Sequence, residues 1–285
     1  MNKRILIYMM ICTVLLTACW DKIEIEKRAF IYGIALDVVE DNSDEIQLTE
    51  QLIIPQNILT TSVGGGGSGT AYRNVKEKGD TVYDIDRKIT ERTSRFTDAN
   101  HLQIVLFSEE LMKRPSWFKE HIDFFFRGKR MRRVIKMAVT SGKAEDFLTV
   151  EPEHEKIPSE YINEMLENKG KMEITDLIRI GDIQEKILEK ASFPISYLKK
   201  IDSENIEYSG VAIYNGHKEQ MVGTLEGEES EGLSYIRSLK HTGTINVKLN
   251  NKAAAIEILN IKSKFSLENN DKNNFKFTLK INISA

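Results

Sequence analysis

What most restricts the folds open to this chain is one change in its hydrophobic period. From residue 29 to about residue 190, short β-branched runs alternate with segments of helical period, and from residue 192 onward the pattern is dominated by strands. The run "AFIYGIALDV" (29–38) is rich in β-branched and aromatic side chains with Gly33 inside, and reads as a buried strand. "EIQLTEQLII" (45–54) alternates and stops at Pro55, which makes it the antiparallel partner across the turn-forming "EDNSDE". Asp80 is placed to cap a helix whose apolar face is Val82, Ile85, Ile89 and Phe96. "HLQIVLFS" (101–108) and "VIKMAVT" (134–140) are further strands, separated by a helix that starts at Ser116 and carries Phe118, Ile122 and Phe125 on one face. A short helical "KAEDFL" and two longer helical stretches after Pro158 follow, the second over 174–190 with a break at Gly181 and Asp182.

Beyond residue 192, "SFPISYL" and "IEYSGVAIY" are strands, and Asn215-Gly216 is the signal of a two-residue hairpin turn whose return strand passes through Met221 and Val222. "GEESEGLSYIRSL" is a short helix, and three alternating runs close the chain near 244–248, 254–265 and 275–283. The class is α+β, with two to three α+β domains built on mixed and antiparallel sheets, a helix-rich N-terminal domain and a strand-rich C-terminal part. The expected divisions are a leader over 1–18, an N-terminal domain over 19–194 with a flexible glycine-rich loop at 62–73, a small second domain over 195–242, and the start of a third, incomplete domain over 243–285.

The leader follows from the other end of the argument. Cys12 and Cys19 are the only cysteines, so the body has no disulfide framework and no thiol zinc cluster. Lys3 and Arg4 precede an apolar run of about 14 residues, short of the ~20 that cross a bilayer. Leu16, Thr17, Ala18 and Cys19 match the lipobox of bacterial lipoprotein precursors: small residues suit the peptidase, and the Cys19 thiol would take the diacylglyceryl group. Cleavage removes Lys3 and Arg4 from 40 basic residues and nothing from 43 acidic ones, so the charge moves from −3 to −5, which argues against nucleic-acid binding.

Catalytic signals are missing. "SVGGGGSGTAYR" (62–73) has the glycine spacing of a phosphate loop, but Thr70 and Ala71 stand where Lys and Ser/Thr are required. His101, His121, His154, His217 and His241 show no metal-ligand spacing, and no cofactor or metal is implied. The acidic cluster Glu226, Glu228, Glu229 and Glu231 has a sufficient structural reason at a helix start. The charge run of interest is "FFFRGKRMRR": Arg127, Lys129, Arg130, Arg132 and Arg133 form a candidate contact for anionic lipid or an acidic partner, each cation contributing about 1 kcal/mol near a charged bilayer. The competing reading is a solvated helix-to-strand connection whose Phe residues belong to the core.

With these segments in place, "CWDKIEIEKRAFIYGIALD", "HLQIVLFSEEL", "FFFRGKRMRR…VTSGKAEDFL" and "SGVAIYNG…MVGTLEGEESEGLSYIR" together resemble the Ger(x)C lipoprotein family, the C subunits of nutrient germinant receptors of spore-forming bacteria. The resemblance implies a non-enzymatic subunit, anchored by lipid of the palmitate class on Cys19 to the outer face of the spore inner membrane. It also implies assembly with integral-membrane A and B subunits and a role in nutrient-triggered germination. The chain departs from the family pattern at "GKRM", where an acidic or proline-bearing segment is usual, and at the longer link "HKEQ". Family members continue past this C-terminus, which is why the third domain is expected to be incomplete. The alternative is an extracytoplasmic solute-binding lipoprotein that captures the nutrient itself, against which the absence of repeated βαβ halves weighs. A third reading, a spore-wall hydrolase, has no nominated acid, base or nucleophile.

Overall fold

In strand β1 (Arg28–Val38) Ile34, Leu36 and Val38 point to one face and Gly33, Ala35 and Asp37 to the other, and both sets are buried. A strand covered on both faces belongs inside a sheet with layers on either side. The structure is a computed structural model that describes residue 4, residues 27–39, 44–54, 57, 70–128, 131–171, 177–237, 243–249, 252–271 and 274–284. Leu16, Thr17, Ala18 and Cys19, residues 62–69 of the glycine-rich loop, Lys129, Arg130 and His241 lie outside the described residues.

The remaining strands of the main sheet are β2 (Ile46–Ile53), β3 (Tyr72–Gly79), β4 (Phe96–Asp98), β5 (Ile104–Ser108), β6 (Lys136–Thr140), β7 (Phe193–Lys200), β8 (Ile206–Asn215) and β9 (Gln220–Glu226). They form one nine-stranded sheet in the order β3-β2-β1-β5-β6-β7-β8-β9, with β4 beside the start of β1. Pairing is antiparallel from β3 to β1, parallel from β1 through β5 and β6 to β7, and antiparallel again from β7 to β9. The parallel centre needs crossovers, and these are the helical segments α1 (Val82–Arg92), α2 (Glu109–Lys113), α3 (Trp117–Arg127), α4 (Pro158–Lys171) and α5 (Ile180–Leu188), with a 3-10 turn at Ala144–Thr149. Ile34, Leu36, Val105, Phe107 and Val139 pack under Ile85, Phe118, Ile122 and Ile183 on one face. Ala35, Leu106, Ala138 and Leu198 pack under Phe147, Leu148, Ile162 and Leu166 on the other. The result is a three-layer α+β architecture with mixed and antiparallel sheets, as the change of period predicts.

Two residues in the sheet set the spacing of the second layer. A Cβ on Gly33 would come within 2.6 Å of the Ser159 Cβ, so only glycine lets α4 approach β1 this closely. Gln51, fully buried in β2, donates to the Leu148 carbonyl (2.8 Å) and Asn74 Oδ1 (2.9 Å) and accepts from the Ser159 amide (2.9 Å). It thereby satisfies the Ser159 amide at the start of α4 and shares the Leu148 carbonyl of the 3-10 turn with the Asn74 side-chain amide (2.7 Å).

Several local expectations are corrected. The cap of α1 is Thr81, whose Oγ1 accepts from the Asp84 amide, rather than Asp80, and Phe96 leaves the helix face for strand β4, where it is 55% exposed. Gly181 and Asp182 do not break a helix; they form the first turn of α5, where the Asp182 carboxylate accepts from the Arg179 amide (3.1 Å). The β8–β9 turn is four residues long, because Asn215 Oδ1 accepts from the amides of His217 (3.0 Å) and Lys218 (2.9 Å) and Glu219 takes a positive φ of 53°. The glycine-rich loop ends earlier than residue 73, since Tyr72 and Arg73 already pair in β3.

Where helices give way to strands near residue 195, the sheet continues without interruption: β7 crosses the position and pairs with β6 on one side and β8 on the other. The change of pattern there marks the passage from parallel crossovers to an antiparallel meander. After β9, helix α6 (Gly227–Ile236) leads to two separate two-stranded sheets, β10 (Gly243–Leu249) with β11 (Lys252–Ile258) and β12 (Asn260–Asp271) with β13 (Asn274–Ser284). The single run expected over 254–265 is therefore two strands, divided at Leu259, whose amide already bonds to the Ser284 carbonyl (2.8 Å) as the chain changes partner from β10 to β13. Ser263 Oγ donates to the Tyr235 carbonyl (2.6 Å) and ties β12 to α6.

Candidate functional site

The basic run begins on α3, an amphipathic helix whose buried face carries Phe118, Ile122, Phe124 and Phe125. Phe107 meets Phe118 edge-on at 5.0 Å, and Phe118 also packs on Tyr214 of β8 at 5.1 Å, so α3 is fixed to the sheet by aromatic contacts. Its start is held from the β8–β9 turn: the Ser116 amide donates to the Glu219 carbonyl (2.9 Å) and Ser116 Oγ to the Glu219 carboxylate (2.8 Å). Lys119 and Ser116 together keep Glu219 below the ordinary carboxylate range. Phe124 and Phe125 before the run are thus core, and Phe126 is half-buried beside them.

Among the described residues of the run, Arg127, Arg132 and Arg133 have separate surroundings. Arg127 pairs with Asp123 one turn earlier (2.6 Å) and remains 72% exposed. Arg133 lies along the surface against α5, donating to Gln184 Oε1 (3.0 Å) and the Gly181 carbonyl (3.1 Å), while its own carbonyl accepts from the Gly181 amide (3.0 Å). It is a brace that seats the first turn of α5 against the chain leading into β6. Arg132 is exposed.

Between α3 and α5 lies an open groove of about 580 Å³ lined by Lys119, Glu120, Asp123, Phe126, Arg127, Gln184, Ile187 and Leu188. Leu188 is 79% exposed, and Phe126 and Ile187 are half-buried against the main core. An apolar floor with charges of both signs at the rim is the make-up of a protein contact, whereas an anionic bilayer favours a single-sign surface.

A second cleft, of about 320 Å³, was not signalled by any motif. It opens at the C-terminal ends of β1 and β5 and is lined by Asp37, Ser108, Glu109, Glu110, Lys113, Gly142 and Lys143. The connection after β5 leaves for the α2–α3 face and the connection after β6 for the 3-10 turn on the opposite face, which is how crevices arise in open sheets. Asp37, 3% exposed, accepts from the amides of Ala144 (2.6 Å) and Glu145 (2.9 Å) at the head of that turn. Burial nevertheless pushes its carboxyl up to about 6, against the pull of those two amides. Glu109 accepts from the Tyr197 hydroxyl (2.6 Å) and pairs with Lys113, and these contacts outweigh its burial and hold it low. Tyr197 is pushed up to about 12 by burial and by Glu109. The sequence carried one trace of this cleft, an acid at the end of the apolar run "IALDV". Asp37 is satisfied as a brace for the turn.

Other sequence candidates are found in the following surroundings. Phe30 meets His101 edge-on (5.0 Å), and His121 is buried against Trp117, its imidazole pushed down to about 4 by burial and so neutral. Glu226 immediately precedes α6, its carboxylate held low by Lys199 and then Ser209, while Glu228, Glu229 and Glu231 are exposed on the first turns of α6. Among the described residues no group of three or more His, Cys, Asp or Glu side chains could hold a metal ion, and no described helix is long and apolar enough to cross a membrane.

The family described as "Spore germination protein N-terminal domain" matches residues 21–200, and "Spore germination B3/ GerAC like, C-terminal" matches residues 209–285. Spore germination protein YndF of Bacillus subtilis (strain 168) is 29% identical, aligned over 90% of this chain and 67% of its own length. Spore germination protein A3 of the same organism is 26% identical over 97% of this chain and 72% of its own length, and spore germination protein B3 is 24% identical over 87% and 65%. The crystal structure of the GerBC protein superposes with a TM-score of 0.52 at 19% identity, covering 89% of this chain and 71% of that one, a likeness of fold. The chain thus spans about two thirds of the length of the relatives it matches.

Proposed function

The chain belongs to the Ger(x)C family of spore germination proteins, and from that premise we propose that it is the lipid-tethered C subunit of a nutrient germinant receptor. In this reading it works on the outer face of the spore inner membrane through contacts with integral-membrane A and B subunits, without catalysis of its own. The observation that carries the reading is positional: the family match begins at residue 21, two residues after Cys19 of the Leu16–Cys19 lipobox. Such an arrangement is what an exported domain hung from a lipidated first residue requires. One acyl chain binds a bilayer only marginally, and the two of a diacylglyceryl group give a stable anchor.

The α3–α5 groove is the surface we assign to an exposed segment of a membrane partner. Its exposed Leu188 and its rim of Lys119, Glu120, Asp123 and Arg127 suit a protein of mixed charge. The alternative reading, capture of a small nutrient, would have to use the 320 Å³ cleft at Asp37, where Asp37 and Glu109 are already engaged by the Ala144 amide and the Tyr197 hydroxyl.

The tether is tested by replacing Cys19 with Ala and fractionating spore membranes. The protein is expected to leave the membrane fraction, with nutrient-triggered germination impaired; a membrane-bound variant that germinates normally would overturn the assignment.

A further inference from the structure

Glu50 lies in the middle of β2, is 1% exposed, and neither of its carboxyl oxygens meets a hydrogen-bond donor among the described residues. Buried polar groups almost always have partners, so this residue needs an explanation. Its sheet neighbours on the same face are apolar: Ile34 across β1 and Val75 across β3. Facing it from α1, within hydrogen-bonding reach, is another carboxyl, that of the half-buried Asp86. Two ionised carboxylates are both acceptors and repel, whereas a proton between them makes one a donor and removes a charge from the core. On the same face of β3, Arg73 and Glu77 flank Val75 beside Leu52 and Leu48. Glu77 is taken by Arg92 of α1. Among the described residues no cation hydrogen-bonds to Glu50 to take the place of the proton.

We propose that Glu50 and Asp86 form a proton-sharing acid pair that makes the seating of helix α1 on the sheet depend on pH. α1 is the side that can yield. Its apolar face is only Val82, Ile85 and Ile89, and lifting it lets water reach both carboxyls, whereas β2 is paired on both sides within the sheet. The consequence reaches the contact surface, since Tyr83 of α1 packs edge-on against Phe124 of α3 at 4.7 Å. Burial raises both carboxyls above their ordinary range; Asp86 raises Glu50 further, whereas the hydrogen bond from Glu50 pulls Asp86 part of the way back, so the proton resides on Glu50 and the folded chain holds it where an unfolded chain would release it. The seat is then strongest in acid and weakens as pH rises beyond the range in which an unfolded Glu or Asp titrates. The inference does not depend on the proposed receptor role.

Amide hydrogen exchange of residues 82–92 in the full chain, corrected for the intrinsic pH dependence of exchange, tests it. The opening constant of α1 is expected to grow by up to about tenfold per pH unit over part of the range, while amides of β5, which report global opening, follow a different and shallower course. Glu50→Gln and Asp86→Asn should each flatten the α1 profile, and because Asp86 sits at the helix edge its variant tests the pair even if the Glu50 variant folds poorly. An opening constant of α1 independent of pH in the native chain, or a slope that survives either substitution, would overturn the proposal.

Discussion

Replacing Gly33 with Ala tests the packing of the second layer in a single methyl group. The added Cβ would stand 2.6 Å from the Ser159 Cβ and 3.1 Å from a Leu148 methyl, where ordinary carbon contacts need about 3.5–4.0 Å. Relief requires α4 or the 3-10 turn to retreat by roughly an ångström. Ser159 cannot simply turn away, because its amide is fixed to Gln51 Oε1 at 2.9 Å and its own Cβ is the clashing atom. Overpacking of this kind costs about 1–3 kcal/mol, and strain on the Gln51 hydrogen bonds places the expected loss in the upper part of that range. The control is Gly223→Ala in β9, where a Cβ meets nothing within 4 Å, so that change should be neutral or stabilising by about 0.5 kcal/mol through the lower entropy of the unfolded chain. Urea unfolding followed by far-UV circular dichroism measures both. Equal midpoints for the two variants would refute the claim that the Gly33 contact sets the layer spacing.

Three further outcomes follow from the same structure. Phe118→Ala removes a fully buried ring that packs on both Phe107 and Tyr214, and should lower the unfolding free energy by about 3–5 kcal/mol in urea titration. Asp37, pushed up to about 6 by burial, makes the fold lose stability as pH rises from the unfolded carboxyl range toward 6, with no further loss from this group above that. The total is about 3 kcal/mol at 1.4 per unit, and Asp37→Asn should remove that part of the slope in pH-dependent unfolding. Arg133→Ala should speed hydrogen exchange at the first turn of α5, whereas exposed Arg132→Ala should leave exchange there unchanged, because only Arg133 bonds to Gly181 and Gln184.

The parts of the fold governed by local pattern were legible in the sequence. Strands such as Ile104–Ser108, and the α3 face of Phe118, Ile122 and Phe125, follow from composition and period alone. What the pattern did not carry was anything decided across the fold. Asn215-Gly216 reads as a tight turn, yet the Asn215 side chain bonds two amides ahead of it and lengthens the loop. Phe96 keeps helical spacing with Ile89, but the chain has already left the helix at Thr93.

The basic run shows the same limit at the candidate site. Five cations in seven residues look alike in one dimension, and only the position of α5 distinguishes Arg133, a brace, from Arg127, a surface ion pair. Glu50 and Asp86 have no signature until their neighbours are assembled, and Asp37 leaves only the trace of an acid at the end of an apolar run. Family membership was readable because several separated blocks, from "AFIYGIALD" to "GEESEGLSYIR", agree in order over nearly the whole chain.

The claim that this protein acts as a tethered subunit through protein contacts is tested most directly by affinity isolation of the tagged chain from detergent-solubilised spore membranes. The account predicts co-isolation of integral-membrane partners in fixed proportion, sharply reduced by Leu188→Asp in the α3–α5 groove without loss of folding. Recovery of the chain alone, from spores whose nutrient response does not change when it is deleted, would contradict it.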